Sequence, residues 1–484
     1  MNNKQNLNPK GQLLKDVYPN LFKDWDDKLN IGRDKYKITI GSSKFNVKWS
    51  CHKCGYNWEQ KVINRVKHQT GCLICSNQTI PPFNDMWKSL NKIVHFKNKP
   101  NFVTILWFLI PFIAVLLLIS KGNSHINNYL IFKNVFWHSV QQQNLYNHYP
   151  SEYFDKNHYG PFFSLIIAPF ALFPNFIGAL FWATLNVGIL FYAVHKLPVS
   201  HWAKNIILLI SLIEMLTSVQ NLQFNPMLCS WIILTYVCIK EDKLGLAAMF
   251  IVAGTLVKLY GIVGIAFIFF TTERKKLISY LIVWAIIFFC LPMLISSPEF
   301  VLNSYLDWYH VLIEKNIENV SSYQNMGMTD ISAMGFVKRV SGWYDLSNLY
   351  FIVPAGILTL LPLARFSKWT VEKFQLSYLA QVLIGVVIFS TSAESPTYVI
   401  AVVGFAIWYI LYAPKPSQWM YYVLAFVLVL TVFSPTDLFP RYIRKEFVIR
   451  YSLKALPCLI AWLIITFQLI YSNFEKKEPN AYSA

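Results

Sequence analysis

Long apolar runs, separated by short polar segments, occupy most of the chain after residue 100. The first run, residues 101–120, carries no charge and has the roughly 20 residues that a helix needs to cross a bilayer. Only 14% of all residues are charged, against about 25% in soluble domains. A soluble enzyme, a disordered chain and a coiled coil are therefore excluded. We predict an all-α polytopic membrane protein with about 10–13 transmembrane helices.

Several apolar runs are too short to cross a bilayer alone, so we expect some of them to turn back or break. The run 161–173 lies between Pro161 and Pro174 and is predicted to form a half-helix. The run 244–270 contains a single charge, Lys258. Because a charge is costly inside a bilayer, we predict that the helix breaks there.

The first hundred residues have a different composition from the rest. Residues 1–99 hold 18 Lys and Arg against 7 Asp and Glu, which accounts for most of the net charge of +18. No apolar segment typical of a signal peptide opens the chain, so we expect this part to lie in the cytoplasm. We divide the chain into a zinc-binding domain (1–80), a linker with an amphipathic helix (81–100), a membrane domain (101–474) and a polar tail (475–484).

Two CxxC pairs in the first domain predict a metal site. Cys51 and Cys54 form one pair, Cys72 and Cys75 form the other, and seventeen residues separate them. This spacing is typical of zinc ribbons. The alternative is that the four cysteines are unrelated residues of a hydrophobic core. Disulfides are not expected in a reducing cytoplasm. Four thiolates complete a tetrahedral Zn²⁺ site with no open position, so the predicted zinc is structural.

The residues around these cysteines carry a resemblance. Trp49, Gly55 and Trp58 complete a WxCxxCGxxW pattern, and Gly71 precedes the second pair. Residues 12–78 thereby resemble the probable zinc-ribbon or treble-clef zinc finger family. The resemblance implies a small domain attached to others, with nucleic acid as a suspected partner. The basic charge suits nucleic-acid phosphates or an anionic lipid surface, and a structural or protein-docking role is favoured over nucleic-acid binding.

Clusters of Lys and Arg predict the orientation of the membrane domain. The positive-inside rule assigns to the cytoplasmic side the clusters at 88–99, 196–204, 240–243, 274–276 and 365–373. The outer face then holds 121–160, 220–226, 296–346 and 390–396. The basic segment 441–454 also falls outside in this assignment, against the rule. We expect a multi-pass protein of the cell (inner) membrane with a cytoplasmic N-terminal domain.

The first predicted outer loop, 121–160, concentrates polar and aromatic side chains. Glu152, Asp155, His158 and Tyr159 lie together just before the predicted half-helix. A positioned carboxylate acts as a general base, and aromatic rings stack on sugars. The alternative is an ordinary solvated connection, because loops are polar by default.

Five short segments, in this order, carry a second resemblance: the NLY to ALFP stretch (144–174), QNLQFNP (220–226), LVKLY (256–260), YQN (323–325) and ESP (394–396). Residues 100–470 resemble glycosyltransferase family 87, the α-mannosyltransferase-like enzymes of the GT-C type. The resemblance implies transfer of a hexose, mannose-like, from a polyprenyl-phosphate sugar donor. The resemblance also implies a lipid or glycan acceptor on the outer face.

The resemblance also implies a general base in the first outer loop. The family commonly has an Asp soon after the first helix, where this chain has Asn127 and Asn128, and an amide is no base. Asp155 is therefore the predicted catalytic base and Glu152 the second candidate.

Lys258 is predicted to pair with the lipid phosphate, or alternatively with Glu214 or the membrane interface. The remaining substrate-binding candidates are polar side chains near predicted helix ends: His158, Tyr159, Gln220, Asn221, Asn225, Gln324, Asn325 and Glu394.

The alternative function is a multi-pass transporter or flippase-like protein with a zinc-finger docking domain. Transporters often carry Gly- or Pro-broken helices at matching positions in two halves, and the sequence shows no such pair. Two long outer loops favour an outward-facing catalytic site, because loops of that length are usually functional.

Overall fold

The structure is a computed structural model. It describes residues 13–25, 27, 30, 35–39, 46–51, 57–67, 102–321, 329–412 and 418–474. The chain divides into two compact units, Met1–His95 and Phe96–Ala484. The predicted linker helix in 81–100 and the tail 475–484 lie outside the described residues.

The N-terminal unit contains a β-hairpin and short helices. Its elements are α1 (Leu14–Val17), 3₁₀ turns at Pro19–Asp24 and Lys35–Lys37, β1 (Asn46–Ser50), β2 (Asn57–Lys61) and α2 (Val62–Lys67). The strands β1 and β2 pair antiparallel, with Trp49 opposite Trp58.

A small core holds this unit together. Side chains alternate across a strand, so Val47 and Trp49 of β1 point inward. The core comprises Trp25, Ile38, Val47, Trp49 and Val62. The guanidinium of Arg65 lies 4.2 Å from the ring centroid of Trp49 and 5.0 Å from that of Trp58. The same guanidinium forms a buried ion pair with Asp24, which compensates its charge.

The secondary-structure elements described in the second unit are all helices. Its helices are α3 (Phe102–Ile119), α4 (Asn127–Gln141), α5 (Phe163–Ala171), α6 (Asn175–Lys196), α7 (His201–Gln220), α8 (Asn225–Lys240), α9 (Leu244–Val257), α10 (Arg274–Cys290), α11 (Pro298–Ser321), α12 (Ala333–Ser341), α13 (Leu349–Leu360), α14 (Glu372–Ile388), α15 (Tyr398–Tyr412), α16 (Gln418–Phe426), α17 (Arg441–Ile443) and α18 (Ala455–Tyr471). A 3₁₀ helix spans Leu259–Phe270, and π-helical turns continue α16 and α17.

Five helical segments are long and apolar enough to cross a membrane: Phe102–Ile119, Asn175–Lys196, His201–Gln220, Arg274–Leu294 and Ser395–Tyr412. Shorter apolar helices lie among them. The segment Ser395–Tyr412 is 89% buried, whereas Phe102–Ile119 is 22% buried. Ser395–Tyr412 therefore lies at the centre of the bundle, whereas Phe102–Ile119 presents its apolar surface outward. The predicted all-α polytopic membrane fold is confirmed.

The predicted half-helix and the predicted break are both confirmed. The nine-residue helix α5 packs against α4. Helix α9 ends at Val257, Lys258 is extended, and the 3₁₀ helix begins at Leu259.

The description of two outer segments as loops is wrong. Helix α4 lies within 121–160, and α11 and α12 lie within 296–346. The sequence of α11 alternates polar and apolar residues, and Val301, Trp308 and Val311 recur at helical spacing and are buried. An amphipathic helix of this kind has no long apolar run, so an apolar-run criterion misses it.

The alternative pairing of Glu214 with Lys258 is also wrong. Lys454 Nζ donates to Oε1 and Oε2 of Glu214 at 2.8 and 2.9 Å. It also donates to Ser395 Oγ at 2.8 Å. The basic segment 441–454 therefore ends beside Ser395. Ser395 belongs to the segment 390–396, which the positive-inside rule assigned to the outer face.

Candidate active site

A cavity of about 1050 Å³ opens at the end of the helical bundle where the chain turns at Lys258. Its polar end is lined by side chains from four separate parts of the chain: Asp155, His158, Lys258, Lys315 and Glu394. The first two precede α5, Lys315 belongs to α11 and Glu394 precedes α15. A pocket that gathers distant polar groups is the expected form of a ligand site.

Close backbone contact holds the segment before α5 against the turn at Lys258. The N–H of Gly160 donates to the carbonyl of Val257 at 3.1 Å. A Cβ at Gly160 would lie 2.0 Å from the carbonyl oxygen of Leu256, so only glycine fits. Trp308 Nε1 of α11 donates to the carbonyl of His158 at 3.0 Å. These contacts place the predicted base near the predicted phosphate-binding lysine.

Asp155 lines the cavity in an unusual backbone conformation. Its φ is 73°, a region that residues other than glycine rarely adopt and that recurs at functional sites. The side chain is 63% exposed, and its Oδ1 lies 3.9 Å from His158 Nε2. The carboxylate is thus reachable from solvent and from the cavity.

His158 also lines the cavity, and its two ring nitrogens are distinctive. Both are buried, and neither has a hydrogen-bond partner among the described residues. Burial lowers the pKa of His158 to about 4, and the positive charges of Lys315 and Lys156 act in the same direction against Asp155. The ring is therefore neutral at pH 7, with one nitrogen able to donate and the other able to accept.

Three lysines line the cavity, Lys156, Lys258 and Lys315, and Lys156 Nζ donates to Glu314 Oε1 at 3.0 Å. Lys258 Nζ donates to Asn225 Oδ1 at 3.0 Å and lies 4.7 Å from the ring centroid of Tyr260. The Tyr260 hydroxyl donates in turn to Ser390 Oγ at 2.6 Å. Sequence reasoning missed Lys315 because it treated α11 as a loop.

Another part of the cavity lining is mainly apolar. It continues between the 3₁₀ helix Leu259–Phe270, α13 and α14, and it is lined there by aliphatic side chains that include Ile262, Val263, Ala266, Ile352, Leu360 and Val386. One continuous space therefore joins the ammonium groups of Lys258 and Lys315 to an apolar trough.

The structure brings some of the other predicted residues to this cavity. Tyr159 and Asn221 line it, and the Tyr159 hydroxyl donates to Gln223 Oε1 at 3.1 Å. Asn225 contributes indirectly by holding Lys258. Gln324 and Asn325 lie outside the described residues.

Glu152 and Gln220 are absent from the described cavity lining. Glu152 Oε2 lies 2.9 Å from His138 Nε2. This contact connects the segment before α5 to α4. Burial lowers the pKa of His138, and Glu152 opposes this shift. Gln220 ends α7 with an exposed side chain.

The two asparagines after the first helix have structural contacts. Asn127 Nδ2 donates to the carbonyl of Phe154 at 2.7 Å, and its Oδ1 accepts from the Phe154 N–H at 2.7 Å. Asn128 Nδ2 donates to the carbonyl of Asn221 at 2.8 Å. These bonds fix the backbone just before Asp155 and along the cavity rim.

Of the predicted zinc ligands, the structure describes Cys51, which is buried directly after β1. Cys54, Cys72 and Cys75 lie outside the described residues. Within the described ranges, no group of three or more His, Cys, Asp or Glu side chains is arranged to hold a metal ion.

The fold and cavity define a multi-pass membrane protein with an amphiphilic ligand site. Residues 157–435 match glycosyltransferase family 87. The match covers more than half of the chain, so the chain belongs to this family and is a membrane glycosyltransferase. Residues 21–78 match the probable treble clef zinc finger domain. Both resemblances seen in the sequence are confirmed.

Among solved structures, the chain is similar to ArnT from Cupriavidus metallidurans bound to undecaprenyl phosphate. The identity is 12%, the TM-score is 0.33, and the match covers 76% of this chain and 77% of that chain. No curated protein sequence matches the chain.

Proposed function

We propose that the protein transfers a mannose-like hexose from a polyprenyl-phosphate sugar to a hydroxyl of a lipid or glycan on the outer face of the membrane. The observation that carries this proposal is the single cavity that joins Lys258 and Lys315 to an apolar trough. A phosphate binds to ammonium groups. A polyprenyl chain is stabilised by burial of its apolar surface. A donor that has a phosphate and an apolar chain therefore fits a cavity that has ammonium groups and an apolar trough.

The polar lining suits the donor head. Lys258 and Lys315 would pair with the phosphate, while Asn221 and Glu394 offer hydrogen bonds to sugar hydroxyls. Asn225 and Tyr260 orient the Lys258 ammonium from two sides. Such preorganised groups stabilise charge that develops on a leaving phosphate.

Asp155 is the proposed general base. It takes the proton of the acceptor hydroxyl while that oxygen forms a bond to the anomeric carbon. The bond between the anomeric carbon and the phosphate oxygen breaks, and its electron pair stays on the lipid phosphate. Lys258 and Lys315 compensate the negative charge of the leaving phosphate. The proton ends on Asp155, so the transfer needs no further reactant.

From the sequence we also propose a location and a set of domain boundaries. The membrane is the cell (inner) membrane, and the cavity end of the bundle faces outward. The boundaries are a cytoplasmic zinc domain (1–80), a linker (81–100), the transferase domain (101–474) and a tail (475–484). Cys51, Cys54, Cys72 and Cys75 hold a structural Zn²⁺, which the zinc-finger match and the burial of Cys51 support.

The test uses the full chain in lipid nanodiscs with decaprenyl-phosphate [³H]mannose and a membrane lipid extract. We expect transfer by the wild type and a loss of about 10²–10⁴-fold in Asp155→Asn. Asp242→Asn is the matched control, because Asp242 also has a left-handed backbone, with φ 55°, but follows α8 at its far end. Full activity of Asp155→Asn would remove Asp155 from the mechanism.

A second measurement tests the donor site without chemistry. Decaprenyl phosphate should bind to the wild type and bind more weakly to Lys258→Met, because a charged hydrogen bond is lost. Equal affinity of the two proteins would show that the phosphate lies elsewhere.

A further inference from the structure

The segment between α16 and α18 carries a basic cluster that the proposed function does not use. Residues 441–450 hold four Lys and Arg against one Glu. The cluster begins in α17 and continues through the π-helical residues Arg444–Ile449. The positive-inside rule disfavours such a cluster on the outer side, which is where the predicted orientation puts it. A basic cluster in that position needs a physical reason.

The contacts of the segment place it at one boundary of the bilayer. It connects two apolar helical stretches, Gln418–Phe433 and Ala455–Tyr471. The two stretches meet where the segment leaves one and enters the other, because Thr431 Oγ1 donates to the carbonyl of Lys454 at 2.9 Å. The residues between them therefore lie at the level at which both apolar helices end.

This boundary is the one at which the cavity has its polar end. Lys454 Nζ donates to Ser395 Oγ at 2.8 Å. Ser395 begins an apolar span and directly follows Glu394, which lines the cavity. The basic cluster and the polar end of the cavity therefore lie at the same end of the bundle.

Apolar side chains are exposed on the same segment. They are Leu438, Tyr442, Ile443 and Phe447, whereas Val448 is buried and holds the segment against the bundle. A helix that carries both exposed apolar and basic side chains lies in the plane of the membrane surface, with its apolar side chains among the acyl chains. Its cations are then at the level of the lipid headgroups.

Two of the four cations are held in exposed ion pairs. Arg444 pairs with Asp437, and Arg450 Nη1 lies 3.4 Å from Glu446 Oε2. Water screens exposed pairs of this kind, so they are weak.

The other two cations are Arg441 and Lys445, and both are exposed. Among the described residues, neither side chain has an ion-pair or hydrogen-bond partner, unlike those of Arg444 and Arg450. Because they are four residues apart on a helical segment, they project from the same side. Two adjacent cations at headgroup level are complementary to a lipid phosphate.

We infer that Arg441 and Lys445 bind the phosphate of an anionic phospholipid, and that residues 441–450 anchor this end of the bundle to anionic lipid. Phosphatidylglycerol has the required chemistry, since its phosphate is not compensated within the lipid. Phosphatidylcholine lacks it, because its own quaternary ammonium group neutralises the phosphate. The surface is separate from the proposed donor site, in which Lys258 and Lys315 face the donor phosphate.

Native mass spectrometry of the full chain in detergent measures the affinity for each lipid. The probes are dioleoyl phosphatidylglycerol and dioleoyl phosphatidylcholine, which have the same acyl chains and differ in net charge. We expect the wild type to prefer phosphatidylglycerol. Arg441→Gln and Lys445→Gln should each lower this preference about 5-fold, and the double variant about 30-fold, because each cation beside an anionic headgroup contributes a similar free energy.

A third variant should act in the opposite direction. Glu446→Gln removes the carboxylate that faces Arg450, so it should raise the preference for phosphatidylglycerol. The matched control is the double variant Lys121→Gln, Lys240→Gln, which removes the same charge from exposed positions after α3 and at the end of α8. We expect the control to retain the preference of the wild type.

Two results would overturn the inference at once. One is equal affinity of the wild type for the two lipids. The other is a loss in the control as large as that in Arg441→Gln, Lys445→Gln, because net charge and not the cluster would then be the cause.

Lys258→Met separates this surface from the donor site. It should weaken binding of decaprenyl phosphate and leave the preference for phosphatidylglycerol unchanged. Loss of that preference in Lys258→Met, with the Arg441→Gln, Lys445→Gln variant unaffected, would place phosphatidylglycerol in the cavity and overturn the inference. Failure of decaprenyl phosphate to bind would contradict the proposed donor alone.

Discussion

The ion pair between Glu214 and Lys454 gives the sharpest prediction about stability. Both side chains are almost completely buried, at 0% and 2% exposure. The Lys454 ammonium donates to both carboxylate oxygens at 2.8 and 2.9 Å, and to Ser395 Oγ at 2.8 Å. It also lies 4.9 Å from the ring centroid of Tyr398. The pair joins α7 to the segment before α18, across 240 residues of sequence.

Removing one partner leaves the other charge buried without compensation. We expect Lys454→Met to lower the free energy of unfolding by about 3–5 kcal/mol. Glu214→Gln should have a cost of the same order, because the ammonium then lacks its carboxylate. The double variant should lose much less than the sum of the two single losses, since neither charge is left.

Unfolding free energies can be measured by steric trapping of the full chain in bicelles. Lys243→Met is the matched control, because Lys243 Nζ lies 2.6 Å from Glu241 Oε2 but the side chains are 57% and 43% exposed. We expect that variant to leave the free energy of unfolding almost unchanged, because water and salt screen an exposed ion pair. A Lys454→Met loss no larger than the control, or strictly additive single losses, would refute the reasoning.

Three further predictions concern other parts of the chain. Gly160→Ala should reduce thermal stability and transfer rate together, because the added Cβ meets the carbonyl of Leu256 at 2.0 Å; an unchanged melting temperature would contradict this. Because the pKa of His158 is lowered to about 4 in the folded state from about 6.5 unfolded, the unfolded state binds more protons between these values. The free energy of unfolding should thus fall as pH drops from 6.5 to 4, less steeply in His158→Phe; equal slopes would contradict the assignment. Zinc measured by atomic emission should disappear from the Cys51→Ser, Cys54→Ser double variant; retained metal would show that the ligands are others.

Local patterns allowed much of the fold to be predicted. The apolar runs indicate a polytopic helical protein because the bilayer sets a minimum length of apolar helix. The prolines around 161–173 and the charge of Lys258 correctly mark a short helix and a break. Asp155, His158, Lys258 and Glu394 were all found from sequence and all line the cavity.

Other parts of the site were hidden because they depend on contacts between distant residues. Lys315 enters the cavity through an amphipathic helix, and its side is set by the packing of Trp308 against the segment before α5. Glu152 lies only three positions from Asp155, yet it faces His138 instead of the cavity. No spacing rule along the chain distinguishes those two carboxylates.

The sequence by itself determined the two-part organisation, the membrane class and the paired cysteines, because charge density, apolar length and CxxC spacing act over a few residues at a time. Only the tertiary structure decided which charges meet. Glu214 pairs with Lys454 and not with Lys258, and Lys258 is held by Asn225 beside Glu394. Electrostatic pairing depends on distance in space, and in a helical bundle that distance is set by which helix faces pack together.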